Sequence, residues 1–188
     1  MNQRLTQQQW LEGGLDALAK LGPGALKIGF LASRLGVTRG SFYWHFKDLE
    51  DYRQQLLVRW RSLSTEQIIA QLDERQDGAD RLTALLRRAF LGDKPLERTL
   101  RAWAIEDPSV RQIIGEVDEK RIIYVADLLR TAGVNPQTIG YRARFLYWAY
   151  LGQSIAPDGA PTGIEAEELD AIGSLFLQNS PERQAPGA

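Results

Sequence analysis

Apolar residues recur at spacings of three and four along most of the chain. Glycine and proline break the pattern into segments, and no useful stretch alternates with the two-residue period of a half-buried strand. A first helix is predicted over residues 6–21, with Leu11, Leu15 and Leu18 as its inner stripe. Gly22-Pro23-Gly24 ends it. A short helix follows over 28–35, and Gly36 is suited to a left-handed stop. Thr38 is placed to cap another short helix that ends near Phe46. A long helix is predicted from Asp48 to about Glu74, with Asp48 as cap and Glu50 and Asp51 in the first turn. Further helices are read over 79–91 and 96–105. Asp107-Pro108 then starts a helix carrying Val110, Ile114, Val117, Tyr124 and Leu128, closed by Gly133. Asn135-Pro136 repeats the start signal for a helix over 137–155. A loop over 157–163 and a last helix over 165–179 complete the pattern, and the tail 181–188 is read as disordered. The expectation is an all-α protein of about nine helices. Residues 1–50 would form a three-helix helix-turn-helix domain, joined to a helical bundle over 51–180. One local oddity is the pair Gly13-Gly14 inside the first helix, which costs about 1–2 kcal/mol of helix propensity against alanine.

A chain of 188 residues can hold one sizeable core, or a small domain and a larger one. Its 44% apolar and 25% charged content are those of an ordinary globular protein. No apolar run approaches the roughly 20 residues of a membrane span, and the N-terminus does not resemble a secretory signal. Cysteine is absent, which excludes disulfide scaffolds and thiolate zinc sites and fits a reducing cytoplasm. The net charge of −1 hides an asymmetry. Residues 1–47 hold six bases and two acids, whereas the remainder holds 17 and 22. A basic end on an acidic body suits a protein that presents one end to phosphate. Chance asymmetry of this size is the plain alternative.

The segment Thr38 to Lys47 carries the most chemistry. On a helix, Phe42 and Phe46 share one face and would pack against Leu18, Leu31 and Leu35. Gly40, Ser41, Tyr43, Trp44 and Lys47 spread over the other side. Tyrosine and tryptophan exposed together on so short a helix need a use. Duplex DNA supplies one, since tyrosine can bond phosphate and aromatic rings can pack on sugar or a thymine methyl. Arg39, in the first turn, could reach guanine in the major groove, and Gly40 leaves room for close approach. His45 has two readings, a packing imidazole or an N–H donor to phosphate. It is the one histidine, so no metal site is expected around it.

These residues resemble the TetR family of bacterial repressors. The likeness covers roughly the first 50 residues and is carried by Gly36-Val37, the turn to Gly40, and the run Tyr43-Trp44-His45-Phe46. The resemblance implies a sequence-specific DNA-binding regulator. It puts Arg39, Gly40, Ser41, Tyr43, Trp44 and His45 at the DNA interface, makes Thr38 the cap of the recognition helix, and leaves Lys47 as a phosphate contact. Two departures narrow it. The second helix opens with Lys27, Ile28 and Gly29 where relatives often carry Thr, Ser or Arg, and Leu49 stands where a lysine is common.

The family resemblance also implies that the C-terminal helices bind a small molecule and pair two chains. Residues 137–155 give independent support. One stripe is Tyr141, Phe145, Trp148 and Gly152, and another is Ile139, Ala143, Leu146 and Tyr150. A helix apolar on two sides is buried on two sides, by its own bundle and by a partner, or by one large bundle. With Ile172 and Phe176 of the last helix, the first stripe would form a four-helix contact in two-fold symmetry. Trp60, Phe90, Trp103, Tyr124 and Tyr147 are candidate linings of an effector pocket, although aromatics at helical spacing are more often core. No cofactor and no catalysis are expected, because the chain lacks a cysteine nucleophile and a phosphate-binding glycine loop. The expected function is a ligand-responsive repressor that binds a pseudo-palindromic operator as a homodimer. A DNA-binding regulator or architectural protein without an effector is one rival, and a helical small-molecule module with a vestigial DNA motif is another.

Overall fold

The computed structural model describes residues 5–75, 77–92, 94–156 and 163–179. Within them are α1 (Gln7–Leu21), α2 (Ile28–Arg34), α3 (Arg39–Tyr43), α4 (Leu49–Arg61), α5 (Gln67–Asp73), α6 (Gly78–Phe90), α7 (Pro95–Glu106), α8 (Pro108–Thr131), α9 (Pro136–Ile155) and α10 (Ala166–Leu177). A single π-helical turn, Ser62–Glu66, joins α4 to α5 without a break, so these stretches form nine rods. No strand occurs among the described residues, as the periodicity predicts. No helix among them is long and apolar enough to cross a membrane. The predicted tail, and all of the predicted loop except Gly163, lie outside the described residues.

The helices pack into two compact units. Of the described residues, the first draws on those within 5–68 and 94–119, and the second on those within 69–92 and 120–179. This grouping follows packing; the division by role after residue 50 stays a matter of proposed function.

In the first unit, α1 starts with a reciprocal cap. The Thr6 hydroxyl accepts from the Gln9 amide at 3.2 Å, and the Gln9 side chain accepts from the Thr6 amide at 2.8 Å. Gly22 (φ 78°) and Gly36 (φ 69°) take the left-handed region as α1 and α2 end. Asp16 holds Lys20 at 2.6 Å and Arg34 at 2.9 Å, which ties α1 to α2. The hydrogen bond from Lys20, then that from Arg34, lowers its carboxyl pKa. Asp48 caps α4 by accepting from the Asp51 amide at 2.8 Å. Asp107 caps α8 by accepting from the Ser109 amide at 2.9 Å and its hydroxyl at 2.7 Å. The hydroxyl is the main reason that its carboxyl pKa is lowered. Glu97 is buried and satisfied by Arg101 at 2.7 Å, and Arg101 reaches Asp118 on α8 at 2.7 Å.

The pair Gly13-Gly14 has a packing reason. A Cβ on Gly14 would stand 1.8 Å from the Tyr52 hydroxyl oxygen, and one on Gly13 would stand 2.6 Å from a Leu35 methyl. Two helices approach α1 through the space those glycines leave.

The second unit is built on Leu82, Leu86, Val125, Leu128, Leu129, Ile139, Ala143 and Leu146. Asn135 caps α9 by accepting from the Gln137 amide at 2.9 Å. The Tyr124 hydroxyl donates to Asp73 at 2.9 Å, and Arg87 donates to Asp170 at 2.9 Å, linking α6 to α10.

Candidate nucleic-acid interface

The helix α3 is only five residues long, far too short to be stable by itself. Packing holds it. Phe42 and Phe46 are buried, as their spacing predicts. Phe42 meets Trp10 edge-on at 5.4 Å and Tyr52 at 5.4 Å, and Phe46 meets Tyr52 at 4.8 Å. Such ring pairs contribute about 0.5–1.5 kcal/mol each beyond burial. Tyr52 donates to the Trp10 carbonyl at 2.9 Å, and burial raises its pKa, so the hydroxyl keeps its proton. The helix is therefore a short rod clamped on an aromatic base.

Its outward side is aromatic and basic. Trp44 is 71% exposed and Tyr43 60%. Arg39, Gly40 and Lys47 are exposed too, and Arg39 lays its guanidinium across Gly29 of α2. Lys20 and Arg34 are both held by Asp16, whereas Lys27, Arg39 and Lys47 face solvent.

The expected cap and end of α3 are corrected here, and Ser41 and His45 are placed less outward than expected. Thr38 occupies the N-cap position, but its side chain makes no capping bond. Ser41 is half-buried, and its hydroxyl oxygen is enclosed without a hydrogen-bond partner rather than turned outward. His45 is half-buried, with Nε2 2.8 Å from the Leu5 carbonyl oxygen. That nitrogen is used to hold the chain just ahead of α1, so a phosphate would have to displace it. The helix itself stops at Tyr43 rather than near Phe46, and a last turn follows in which Phe46 N–H donates to the Phe42 carbonyl at 3.1 Å.

The pocket candidates divide between the units. Trp60 and Trp103 are buried in the core of the first. Phe90 and Tyr124 pack against the core of the second, and Tyr147, in the same unit, is buried. An open depression of about 640 Å³ lies in the second unit, and Phe90 alone of the five lines it, beside Ala149, Gly152, Gln153, Glu168 and Ile172.

The two stripes of α9 part company. Ile139, Ala143 and Leu146 are buried. Tyr141, Phe145 and Trp148 are 57%, 60% and 62% exposed. Phe145 stacks on Phe176 of α10 with ring centres 6.0 Å apart, and Gly152 is exposed further along. Ile172 is half-buried at the depression. Among the described residues, Tyr141, Phe145, Trp148 and Gly152 are thus left exposed, with the half-buried Phe176 stacked beside Phe145.

No family model matches the chain. The chain is 41% identical over 46 residues to the HTH-type transcriptional regulator AcrR of Shigella flexneri. That match spans 24% of this chain and about a fifth (21%) of the AcrR regulator. The fold is similar to that of a transcriptional regulator described as a TetR/AcrR family member, with a TM-score of 0.72 and 18% identity. The superposition covers 92% of this chain and 98% of the other. A regulator from Saccharomonospora viridis, solved in complex with choline, superposes with a TM-score of 0.71 at 18% identity, covering 91% of this chain and 94% of the other.

Proposed function

Starting from a chain that has the fold of the TetR/AcrR family of transcriptional regulators, we propose that it reads duplex DNA through α3 and works as a ligand-responsive repressor in a homodimer. The observation that carries this reading is the clamped helix. Burial of Phe42 and Phe46 turns Tyr43 and Trp44 to the other side of the segment, where most of each side chain meets solvent. Arg39 would read a base edge in the major groove, Tyr43 and Trp44 would meet phosphate, sugar or a thymine methyl, and Lys47 would meet phosphate. Gly40 would let the backbone approach. His45 would act through the Leu5 carbonyl, steadying the segment before α1.

Pairing is supported by the uncovered stripe of Tyr141, Phe145 and Trp148, with Gly152, Ile172 and Phe176 beside it. Two copies joined there would present two reading helices to an inverted repeat with half-site centres at least about 34 Å apart. An effector in the C-terminal helices would then couple to DNA reciprocally, typically by about 1–3 kcal/mol. The choline-bound regulator supports the class of device, without naming the ligand here.

Selection of bound fragments from a random duplex pool, at stated salt, tests the reading. An enriched inverted repeat is the expected result. Enrichment of no sequence would refute base reading, and enrichment of single half-sites would refute pairing. A metabolite screen against the selected operator separates the effector-free rival, for which no compound would lower affinity.

A further inference from the structure

Arg39 is the one base-reading candidate whose reach depends on a second helix. A Cβ built on Gly29 of α2 would stand 2.8 Å from Arg39 Nη2, 3.0 Å from Nε and 3.1 Å from Cζ. All three are atoms of the guanidinium plane, so the planar group lies over the bare backbone of Gly29. Among the described residues no hydrogen bond or ion pair ties that group down. Shape alone defines its place. Gly29 is the second residue of α2 and its backbone is ordinary helix, so no unusual torsion requires glycine there. A methyl group would suit the helix, and the three atoms nearest to it would all belong to the guanidinium. The residue type at position 29 therefore decides where the guanidinium can rest, with little effect on the fold.

We infer that Gly29 is a specificity-determining positioning residue, which seats the Arg39 guanidinium against α2 and so sets which base edge it meets. This rests on the DNA-reading role proposed for α3. It is independent of any contact from Gly29 to DNA. The alternative role for a glycine at this place, close approach of the α2 backbone to a phosphate, predicts a different mutant phenotype.

Gly29→Ala, Arg39→Ala and the double variant test it, with the full chain and the duplex pool used above. The single variants should keep the thermal midpoint of the wild type. Arg39→Ala should relax preference at one base pair per half-site by about tenfold. Gly29→Ala should change preference at that same base pair and leave the others as they are. In the Arg39→Ala background it should add nothing, because the group it displaces is gone. In DNA-free protein, a nuclear Overhauser contact between the Gly29 Hα and Arg39 Hε protons should be present in the wild type. It disappears when no seat exists, and its absence from the wild type overturns the inference directly. An unchanged base profile in Gly29→Ala overturns it too. So does an equal loss of affinity for all sequences that persists without Arg39, which would mark a backbone–phosphate approach. Should the wild type enrich no sequence at all, the regulator reading fails and the base-setting role of Gly29 falls with it, whatever the proton contact shows.

Discussion

At the scale of single residues, the inward pair of α3 and the turn after it was readable and its flanks were not. Phe42 and Phe46 are four apart, and any helix would put them together. Tyr43 and His45 lie roughly 80° to either side of their mean direction, so periodicity treats them alike. The structure does not, because the Leu5 carbonyl, 40 residues away in sequence, takes up His45. Ser41 falls on the same side as His45 and is enclosed with it. Contacts of such separation leave no trace in a local pattern. Gly13-Gly14 did leave one, as a glycine pair where a helix wants alanine, but its cause sits on other helices in Leu35 and Tyr52. Gly14→Ala should therefore destabilise the protein, against the helix scale. The buried Tyr52 ring cannot swing clear, and overpacking of this kind costs about 1–3 kcal/mol, which urea denaturation would read. At the surface, Lys47→Ala should leave the denaturation midpoint unchanged. It should weaken binding evenly across sequences and reduce the slope of log affinity against log salt by about one.

Element boundaries were legible wherever a side chain writes them. Asp48, Asp107 and Asn135 each stand where a helix starts, and each accepts the expected backbone hydrogen bond. Thr38 looks like the same signal and makes no such bond, so α3 depends on its aromatic clamp instead. The π turn at Ser62–Glu66 was invisible, because nothing in that stretch breaks helical periodicity. Asp107→Ala should cost about 1 kcal/mol by freeing the first amides of α8. Its carboxyl pKa is lowered in the folded chain, chiefly by Ser109, so the stabilisation is present above the ordinary aspartate value and is lost as pH falls through the lowered one. Asp16 has the same sign through Lys20 and Arg34. Thermal midpoints should fall as pH drops below the ordinary aspartate value of about 3.9, and Asp107→Ala should flatten part of that fall. A curve unchanged by the substitution would remove Asp107 from the acid response.

For the whole molecule, the all-α class and the outward aromatics of α3 and the turn after it followed from pattern. Which of the two α9 stripes would be left bare did not, because both are equally apolar and only packing chooses. Phe145→Lys should keep helical content and shift the chain to a monomer in sedimentation. It should also lose affinity for an inverted repeat far more than for one half-site, and an unaltered dimer would relocate the pairing surface. On the proposed pairing through the aromatic stripe of α9, abundance would become a control input. While chains are scarce and the operator is far from saturated, the number of pairs follows the square of their concentration, so a twofold drop in expression would cut operator occupancy about fourfold. A cell that dilutes this protein by growing would then release its target gene abruptly, with no signal molecule involved.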